Sequence, residues 1–504
     1  MKKVLFLGLL YFLFLGAVQA QEKRTLTLEE VIELAKQNSR SAKQAETRRT
    51  LGFWEYKVFQ SQLKPQLLLR GTFPNYTNRS IPVTQPDGNV EFREVNQNNV
   101  DLALGLQQVL PWTNTTISLE TNLARFDDFG ADISNYQGDP FGITISQPIF
   151  AVNPFRWDRQ TAPLEYEQSK REYVQDIEDA SRTAARLFFQ LLVEQKNLEI
   201  ALQNEAANDT INKVEQGRYN IGTTTEDALL QTEADLLTAQ SDAQQARLDV
   251  QSRTLNLRNF IGLTEDVDLE LIAPEEVPGF LIDYDEALSY AKENRSEYLE
   301  FQVSKLRAMR GVAEARAQRF NAFVSASFGY NSAQANDLGG VYDPNNVAAG
   351  GTFRLNFTMP ILDGGRNKAR MNAALESQKL NEFTVEQNMI NFEQEIANAV
   401  RNFDQIRQQI EIAQKRQEIA LKRFEITNGR YLAGKVGILD LTNARTSKDS
   451  SIRSYINALQ QYWDAYYELR TLTLYDFQNR QLLYNPLLEY NPKMDQMVDP
   501  SQGQ

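Results

Sequence analysis

Apolar residues recur in steps of three and four along two long parts of the chain. Steps that average about 3.5 residues are typical of the seam of a left-handed coiled coil. The pattern predicts long helices over 156–216 and 366–428, each about 90 Å long at about 1.5 Å per residue, with return helices over 227–262 and 439–475. The seam positions are Tyr173, Ile177, Ala180, Ala184, Leu187 and Leu191 in the first part and Phe392, Ile396, Ala399, Phe403, Ile406, Ile410 and Ala413 in the second.

Shorter stretches alternate strictly between apolar and polar residues. Phe353, Leu355 and Phe357, for example, alternate with Thr352, Arg354 and Asn356. This period of two predicts strands with one apolar and one polar face. Similar strands are predicted over 66–74, 101–107, 117–123, 141–146 and 322–331, and long loops over 75–97 and 331–350, which are rich in Asn, Gly, Pro and Asp.

Three landmarks occur twice in the same order. "LTLEEVIELAKQNS" from Leu26 matches "IDYDEALSYAKENR" from Ile282, and "FGITISQPIF" from Phe141 matches "FRLNFTMPIL" from Phe353. "GRYNIGTTTEDALLQTEA" from Gly217 matches "GRYLAGKVGILDLTNAR" from Gly429. The sequence therefore predicts a tandem duplication.

The duplication divides the chain into two predicted structural repeats. The first covers 21–275, with strands over 65–150 and a helical hairpin over 156–262; the second covers 276–475, with strands over 320–363 and a hairpin over 366–475. A C-terminal segment and tail follow over 476–504. The longer strand region of the first repeat holds an extra hairpin near 99–124, around "PWTN", so that four or six strands per chain are both compatible with the sequence.

The first twenty residues predict a secretory signal peptide. Lys2 and Lys3 precede the apolar run "VLFLGLLYFLFLGA", and "VQA" ending at Ala20 is a small-residue cleavage site. An uncleaved anchor helix is the alternative. No later stretch reaches eighteen consecutive apolar residues, which excludes a helical membrane protein but not a β-barrel.

Composition removes most enzyme classes. The 504 residues include no cysteine and no histidine, which excludes disulfides, thiolate zinc sites and histidine-dependent catalytic triads. The sequence contains neither a phosphate-binding glycine loop nor a nucleophile elbow. We therefore expect no catalytic residues, no cofactor and no metal site. The net charge of −13 gives no electrostatic reason to bind nucleic acid.

With these features the chain resembles the TolC-type outer membrane efflux proteins over about 25–475. The resemblance is carried by the duplication, by the junctions "SQPIF" and "MPILDGG", and by the "RY-x-x-G" tips at Arg218 and Arg430. It implies a mainly helical fold with membrane β-structure, in which three chains close one β-barrel in the outer membrane. The long helices would continue it across the periplasm as a coiled-coil barrel, with a mixed belt built from 25–40, 263–300 and 476–490. The family pattern is four strands per chain.

The resemblance also implies a function and partners. The trimer would be the exit duct of a tripartite efflux or type I secretion system. It would receive substrates from an inner-membrane pump of the RND or ABC type through a periplasmic adaptor, while its barrel contacts outer membrane lipid. The substrate and the pump class stay open. The alternative is a structural coiled-coil protein of the cell envelope without channel activity.

Four positions match the periplasmic gate of the family. Asp440 falls on an aspartate ring, and Asn443 falls on a second ring position, which would be uncharged here. Tyr431 and Asp227 match a latch pair. The arginine of a second latch falls on Val436, with Lys435 beside it, so that this latch stays open. Asp440 as a helix cap and Tyr431 as seam packing are the alternatives.

Two further sets of residues follow from the resemblance and the pattern together. The tips that would dock the adaptor contain Gly222, Thr223, Gly434 and Lys435, since glycine permits the turn of a helical hairpin. The strand-to-helix junctions contain Pro148, Pro360, Gly364 and Gly365. Proline suits a strand end, where no ladder donor is needed.

Overall fold

The computed structural model describes residues 23–264, 267–274, 277–433, 435–436, 438–492 and 496–498. The predicted signal peptide lies outside them. The chain divides into two compact units. The hairpin unit contains residues up to Thr50, Ser169–Tyr298 and those from Ile390 onward, and the sheet unit contains Leu51–Gln168 and Leu299–Met389.

The elements are named in chain order. The described helices are α1 (Leu28–Asn38), α2 (Arg40–Gln62), α3 (Pro154–Asn220), α4 (Glu226–Ile261), α5 (Tyr284–Asn294), α6 (Ser296–Ala317), α7 (Arg366–Leu432) and α8 (Ile438–Thr473), with a 3₁₀ turn at Gly339–Val341. The described strands are β1 (Lys23–Leu26), β2 (Gln66–Thr72), β3 (Tyr76–Thr84), β4 (Val90–Leu110), β5 (Thr115–Asp128), β6 (Ile133–Ile149), β7 (Asp268–Leu271), β8 (Asn321–Ser332), β9 (Val347–Thr358), β10 (Tyr475–Asp476), β11 (Gln481–Leu482), β12 (Glu489–Asn491) and β13 (Gln496–Val498).

The predicted long helices are confirmed. Helices α3 and α7 have 67 residues each, and the return helices α4 and α8 have 36 residues each. The seam residues Ala184, Ile396 and Phe403 are almost fully buried, as a coiled-coil seam requires. The two copies of the hairpin therefore match each other in length, helix by helix.

Short mixed elements complete the hairpin unit. Helix α1 begins with a capping box, in which the Thr27 side chain and that of Glu30 each bond the backbone N–H of the other. Its counterpart α5 has the same length of 11 residues and is capped by Asp283. Strand β1 pairs with β7 in parallel, and β10 pairs with β11 and β12 with β13 antiparallel. Most of these elements lie in or at the edges of the segments 25–40, 263–300 and 476–490, for which a mixed belt is expected, whereas β13 lies beyond them.

The sheet unit contains a large antiparallel sheet. Among the described residues its strand order is β2, β4, β5, β6, β8, β9, and β3 also pairs with β4. Strand β2 pairs with the half of β4 that contains Asp101–Gln107, whereas β3 pairs with the half that contains Val90–Asn98. Strands β2 and β3 thus occupy one edge of β4 in succession, and the described sheet is six strands wide.

The prediction of a long loop over 75–97 is wrong. This segment contains β3 and the first part of β4, which form a hairpin with Asp87 and Gly88 at its turn. The sequence of this hairpin shows no sustained alternation between apolar and polar residues, which is why the strand pattern missed it. The second predicted loop contains the 3₁₀ turn and the start of β9.

Candidate functional site

Two neighbouring rows of residues cross all six strand positions of the large sheet and differ in chemistry. One row of register partners consists of Leu67, Leu106, Leu119, Ile143, Phe328 and Gly351. The neighbouring row on the opposite face consists of Gln66, Gln107, Ser118, Thr144, Ser327 and Thr352. Because a slip of one residue in any strand would mix the rows, the pairing register is what separates the two faces.

The apolar face of the sheet is uncovered within one chain. Phe353 is 73% exposed and Leu355 is 54% exposed, values typical of a surface that contacts something other than water. The polar face carries paired charges, since Arg70 lies 3.7 Å from Glu120 and donates a hydrogen bond of 3.2 Å to Gln107. Such a sheet suits apolar surroundings on one side and water on the other.

The junction residues lie where the strands of each repeat end. Pro148 is still paired with Phe323 near the end of β6, and Pro360 lies two residues after the end of β9. Gly364 and Gly365 both have positive φ, at +61° and +87°, a region that glycine enters at no steric cost. Asp363 accepts hydrogen bonds from the backbone N–H groups of Gly365 and Asn367 and so caps the start of α7.

The described residues of the two hairpin ends share one backbone hydrogen bond. In the first, Gly222 has φ +74°, its N–H donates to the Tyr219 carbonyl at 2.9 Å, and the Thr223 N–H donates to the Arg218 carbonyl at 2.9 Å. This pair of bonds is the Schellman motif of a helix C-terminus. In the second end, the Lys435 N–H donates to the Arg430 carbonyl at the equivalent place, at 2.9 Å. Gly434 lies outside the described residues.

The predicted gate residues all lie within a few turns of these ends. Asp440 is exposed in the first turn of α8, Asn443 is exposed one turn later, and Asp227 is exposed in the first turn of α4. Tyr431 is half-buried near the end of α7. Within the described residues no hydrogen bond joins Tyr431 to Asp227 in one chain. The latch therefore stays a prediction about contacts between copies of the chain.

A groove of about 1600 Å³ lies between the two hairpins of the hairpin unit. Tyr431 lines it, as does Val436, which occupies the position of the family's latch arginine. Near the hairpin ends the lining also includes Arg218, Thr223, Thr224 and Arg445. The groove therefore brings together Tyr431 and Thr223, two of the predicted site residues.

A buried ion cluster, which the sequence patterns do not predict, lies further along the same unit. Arg470 of α8 donates to both carboxylate oxygens of Glu178 in α3, at 2.7 and 3.1 Å, and to Asp476 at 2.8 Å. Tyr466 donates to Asp476 at 2.7 Å. The only hint in the sequence is an arginine that ends the aromatic run "YWDAYYELR".

The cluster fixes the charge states of its members. Burial alone would raise the pKa of Asp476, but hydrogen bonds from Asn479 and Tyr466 and the charge of Arg470 outweigh it and hold that pKa below its usual value. Burial alone would lower the pKa of Arg470, but Glu178 raises it above its ordinary value. Arg470 and Asp476 are therefore charged near neutral pH, and the hydrogen bonds of Arg470 join α3, α8 and the segment after α8.

A half-exposed ion pair links the same two long helices. Arg182 of α3 donates to both oxygens of Asp464 in α8, each at 2.9 Å, and lies 3.6 Å from Glu468. Burial raises the pKa of Glu468 despite the attraction of Arg182. This pair has the same geometry as the Arg470–Glu178 pair but much more contact with solvent.

Comparison with known proteins identifies the family. The family model described as outer membrane efflux protein matches residues 31–263 and 287–473. The chain belongs to the outer membrane efflux protein family. It is therefore an outer membrane efflux channel protein, in a family of channels rather than enzymes, and its long helical part lies in the periplasm. A search of curated proteins by sequence gave no match.

Solved structures of outer membrane channels share the fold of this family member. The Campylobacter jejuni channel CmeC is 16% identical, with a TM-score of 0.62 over 88% of this chain and 85% of that one. VceC of Vibrio cholerae is 17% identical, with a TM-score of 0.59 over 88% and 96%. The open state of MtrE of Neisseria gonorrhoeae is 16% identical, with a TM-score of 0.57 over 88% of each chain. At these identities the likeness concerns the fold.

None of the described helices combines the length and the apolar character that a membrane-crossing helix needs.

Proposed function

We propose that three copies of this chain form the exit duct of a tripartite efflux or type I secretion system. The observation that carries the proposal is the in-register apolar face of a sheet that is open at both edges. Within the described residues the outer edges of β9 and of β2 and β3 have no partner strand. An open edge cannot face lipid, because its backbone N–H and C=O groups would lose their hydrogen bonds. Joining copies edge to edge removes that cost.

The strand directions are compatible with such a ring. Every neighbouring pair in the sheet is antiparallel, so that β2 and β9 at the two edges run in opposite directions. Leu67 of β2 lies on the same face as Phe353 of β9. An antiparallel β9–β2 pair between copies therefore keeps apolar side chains against lipid and polar ones toward the water-filled interior.

The hairpin ends are the proposed contact with a periplasmic adaptor, which in turn joins an inner-membrane pump of the RND or ABC type. Each copy presents two hairpin ends, which contain the predicted docking residues Gly222 with Thr223 and Gly434 with Lys435. The repeated bond from residue 223 or 435 back to the arginine five positions earlier supports equal roles for the two ends. A partner with a repeated binding element fits such a repeated surface.

The gate is proposed at the same ends. Three Asp440 carboxylates would form a charged ring around the axis of the trimer, and Asn443 would form an uncharged ring one turn further on. Tyr431 and Asp227 would hold the closed position by contacts between helices. The exposure of Asp440, Asn443 and Asp227 in one chain supports contacts to other copies.

Disulfide cross-linking tests the assembly. Because the sequence contains no cysteine, every disulfide must join introduced cysteines. We expect Asn356→Cys in β9 to form covalent trimers in outer membranes with Leu68→Cys or Arg70→Cys in β2, which lie on the same polar face. The control pair is Asn356→Cys with Leu67→Cys, on opposite faces, which should stay monomeric in denaturing gels. A protein that yields no covalent trimer with any same-face pair is not this duct.

Ion conductance separates the duct from a structural coiled-coil envelope protein. Purified protein in planar bilayers should give discrete channel currents, and its expression in a strain that lacks its own exit duct should restore efflux when adaptor and pump are present. A protein that inserts into the bilayer without current, and that restores no efflux, would favour the structural alternative.

A further inference from the structure

The extra hairpin of the first repeat lies in the middle of the large sheet. Strands β4 and β5 form it, with the turn "PWTN" between them. Strand β4 is hydrogen-bonded to β2 on its other side, and β5 is hydrogen-bonded to β6 over most of its length. Removing the hairpin from the sheet would leave β2 and β6, which its two strands separate, each without a partner on that side.

The hairpin has the same two faces as the strands around it. Leu106 and Leu119 continue the apolar row between Leu67 and Ile143. On the polar face, Gln107 and Ser118 continue the row between Gln66 and Thr144. A hairpin packed outside a barrel, or folded away from it in water, would have no need of this register.

The contacts on the polar face also cross the hairpin. Arg70 of β2 lies 3.7 Å from Glu120 of β5, across the intervening strand β4. Gly105 of β4 is the register partner of Glu120, whereas Arg70 pairs with Ala103, two residues away on β4. A Cβ atom at Gly105 would approach the Glu120 side chain to 3.2 Å. The small residue leaves room for the charged pair to meet over β4. This arrangement requires β2, β4 and β5 to lie side by side in the assembled protein.

We propose that all six strand positions of each copy enter the barrel, so that the trimer closes eighteen strands in place of the four-per-chain pattern of the family. The inference rests on the proposed trimer. An even number of strand positions per copy keeps every neighbouring pair antiparallel around the ring, as antiparallel barrels require. Barrel diameter grows roughly linearly with strand number, so eighteen strands give an opening about 1.5 times as wide as twelve. Barrels of this size leave an aqueous channel, so the narrowest point of the duct would lie outside the barrel.

Spin-label accessibility tests whether the hairpin is part of the barrel. Single cysteines would be introduced by Leu104→Cys and Ala103→Cys in β4, with Ile143→Cys and Thr144→Cys in β6 as matched controls. In trimers reconstituted into lipid, labels at 104 and 143 should be accessible to oxygen, and labels at 103 and 144 to a water-soluble nickel complex. The four positions then alternate in the same way in both strands.

The outcomes separate the two proposals. If label 143 contacts lipid while labels 103 and 104 are both accessible to the nickel complex, the hairpin lies outside the barrel and the inference is overturned, although the duct stands. If label 143 has no lipid contact and no covalent trimer forms, the proposed function fails as well. Electron cryomicroscopy of the trimer gives an independent count, where eighteen strands support the inference and twelve overturn it.

Discussion

Replacing Arg470 with methionine tests how the hairpin unit holds the segment after α8. Methionine keeps much of the apolar volume but removes the cation between Glu178 and Asp476. These carboxylates are only 3% and 1% exposed, so that solvent cannot replace the lost partner. Two buried negative charges would then face each other without a cation between them.

The magnitude follows from burial. Breaking a buried ion pair by removing one partner costs about 3–5 kcal/mol. Glu178 keeps Lys36 at 3.7 Å, and Asp476 keeps the hydroxyl of Tyr466, so we expect the lower end of that range. A free-energy loss of about 3 kcal/mol corresponds to a roughly 150-fold increase in the equilibrium constant for local opening.

Hydrogen exchange measured by mass spectrometry reports that opening directly. Asp476 accepts hydrogen bonds from the backbone N–H groups of Gln478 and Asn479, and the Leu483 N–H donates to the Leu474 carbonyl. A peptide covering 474–483 should therefore exchange roughly 100-fold faster in Arg470→Met than in the native trimer, where exchange is limited by opening.

Arg182→Met is the matched control, because Arg182 makes the same two-bond pair between the same two helices in a half-exposed place. An exposed pair contributes about 1 kcal/mol or less, so exchange should rise by at most roughly fivefold. Arg470→Lys keeps the charge but not the planar guanidinium, so its exchange rate should lie between those of Arg182→Met and Arg470→Met. If the exchange rate of Arg470→Met is within fivefold of the native rate, or if Arg182→Met exchanges as fast as Arg470→Met, burial does not set the strength of this cluster.

Three further predictions concern the hairpin ends and pH. Asp440→Asn should reduce cation preference and block by multivalent cations in bilayer recordings, and Asn443→Asp should increase both, since a ring of carboxylates attracts cations; unchanged selectivity in both variants would leave Asp440 as a helix cap. Gly222→Val forces a β-branched residue to positive φ and should abolish efflux while the trimer stays intact. The control Gly217→Val, at an open helical position, should leave efflux unchanged. Equal efflux in the two variants would contradict the assignment of this end as the docking site. Because the folded pKa of Asp476 is lowered, its contribution to stability is present above the ordinary aspartate pKa and is lost as pH falls through the folded pKa. Exchange of peptide 474–483 should thus accelerate on acidification below about pH 4, and less so in Asp476→Asn; equal acceleration in both would assign the acid sensitivity to other groups.

The long helices could be predicted from the sequence because buried positions recur at a regular spacing along them. Ile396 and Phe403 are almost fully buried, and residues at seam spacing must be apolar wherever two helices meet. Ends were harder to predict, since α3 and α7 each continue for four residues past their predicted limits. Helix ends are set by capping bonds such as that of Thr223, which leave little trace in hydrophobic periodicity.

Pairing between distant elements could not be predicted in the same way. Glu178 and Arg470 lie far apart in the chain, and nothing in one sequence pairs one charge with one partner among many. The hairpin of β3 and the first part of β4 was not predicted because its sequence lacks a sustained alternation of apolar and polar residues. The gate residues were assigned through family resemblance, and their contacts depend on other copies of the chain.

The matched lengths of the two hairpins limit how this chain can change in evolution. One residue inserted into α7 would shift everything after it by about 1.5 Å and rotate it by about 100°, so that seam residues such as Phe403 or Ile410 would leave the interface. A tolerated change needs about seven residues at once, with a matching change in α8. In the sheet the unit of change is a whole hairpin, because two added strands return the chain to the same end of the sheet. Relatives of this protein should therefore vary in length by pairs of strands and by heptads, and seldom by single residues.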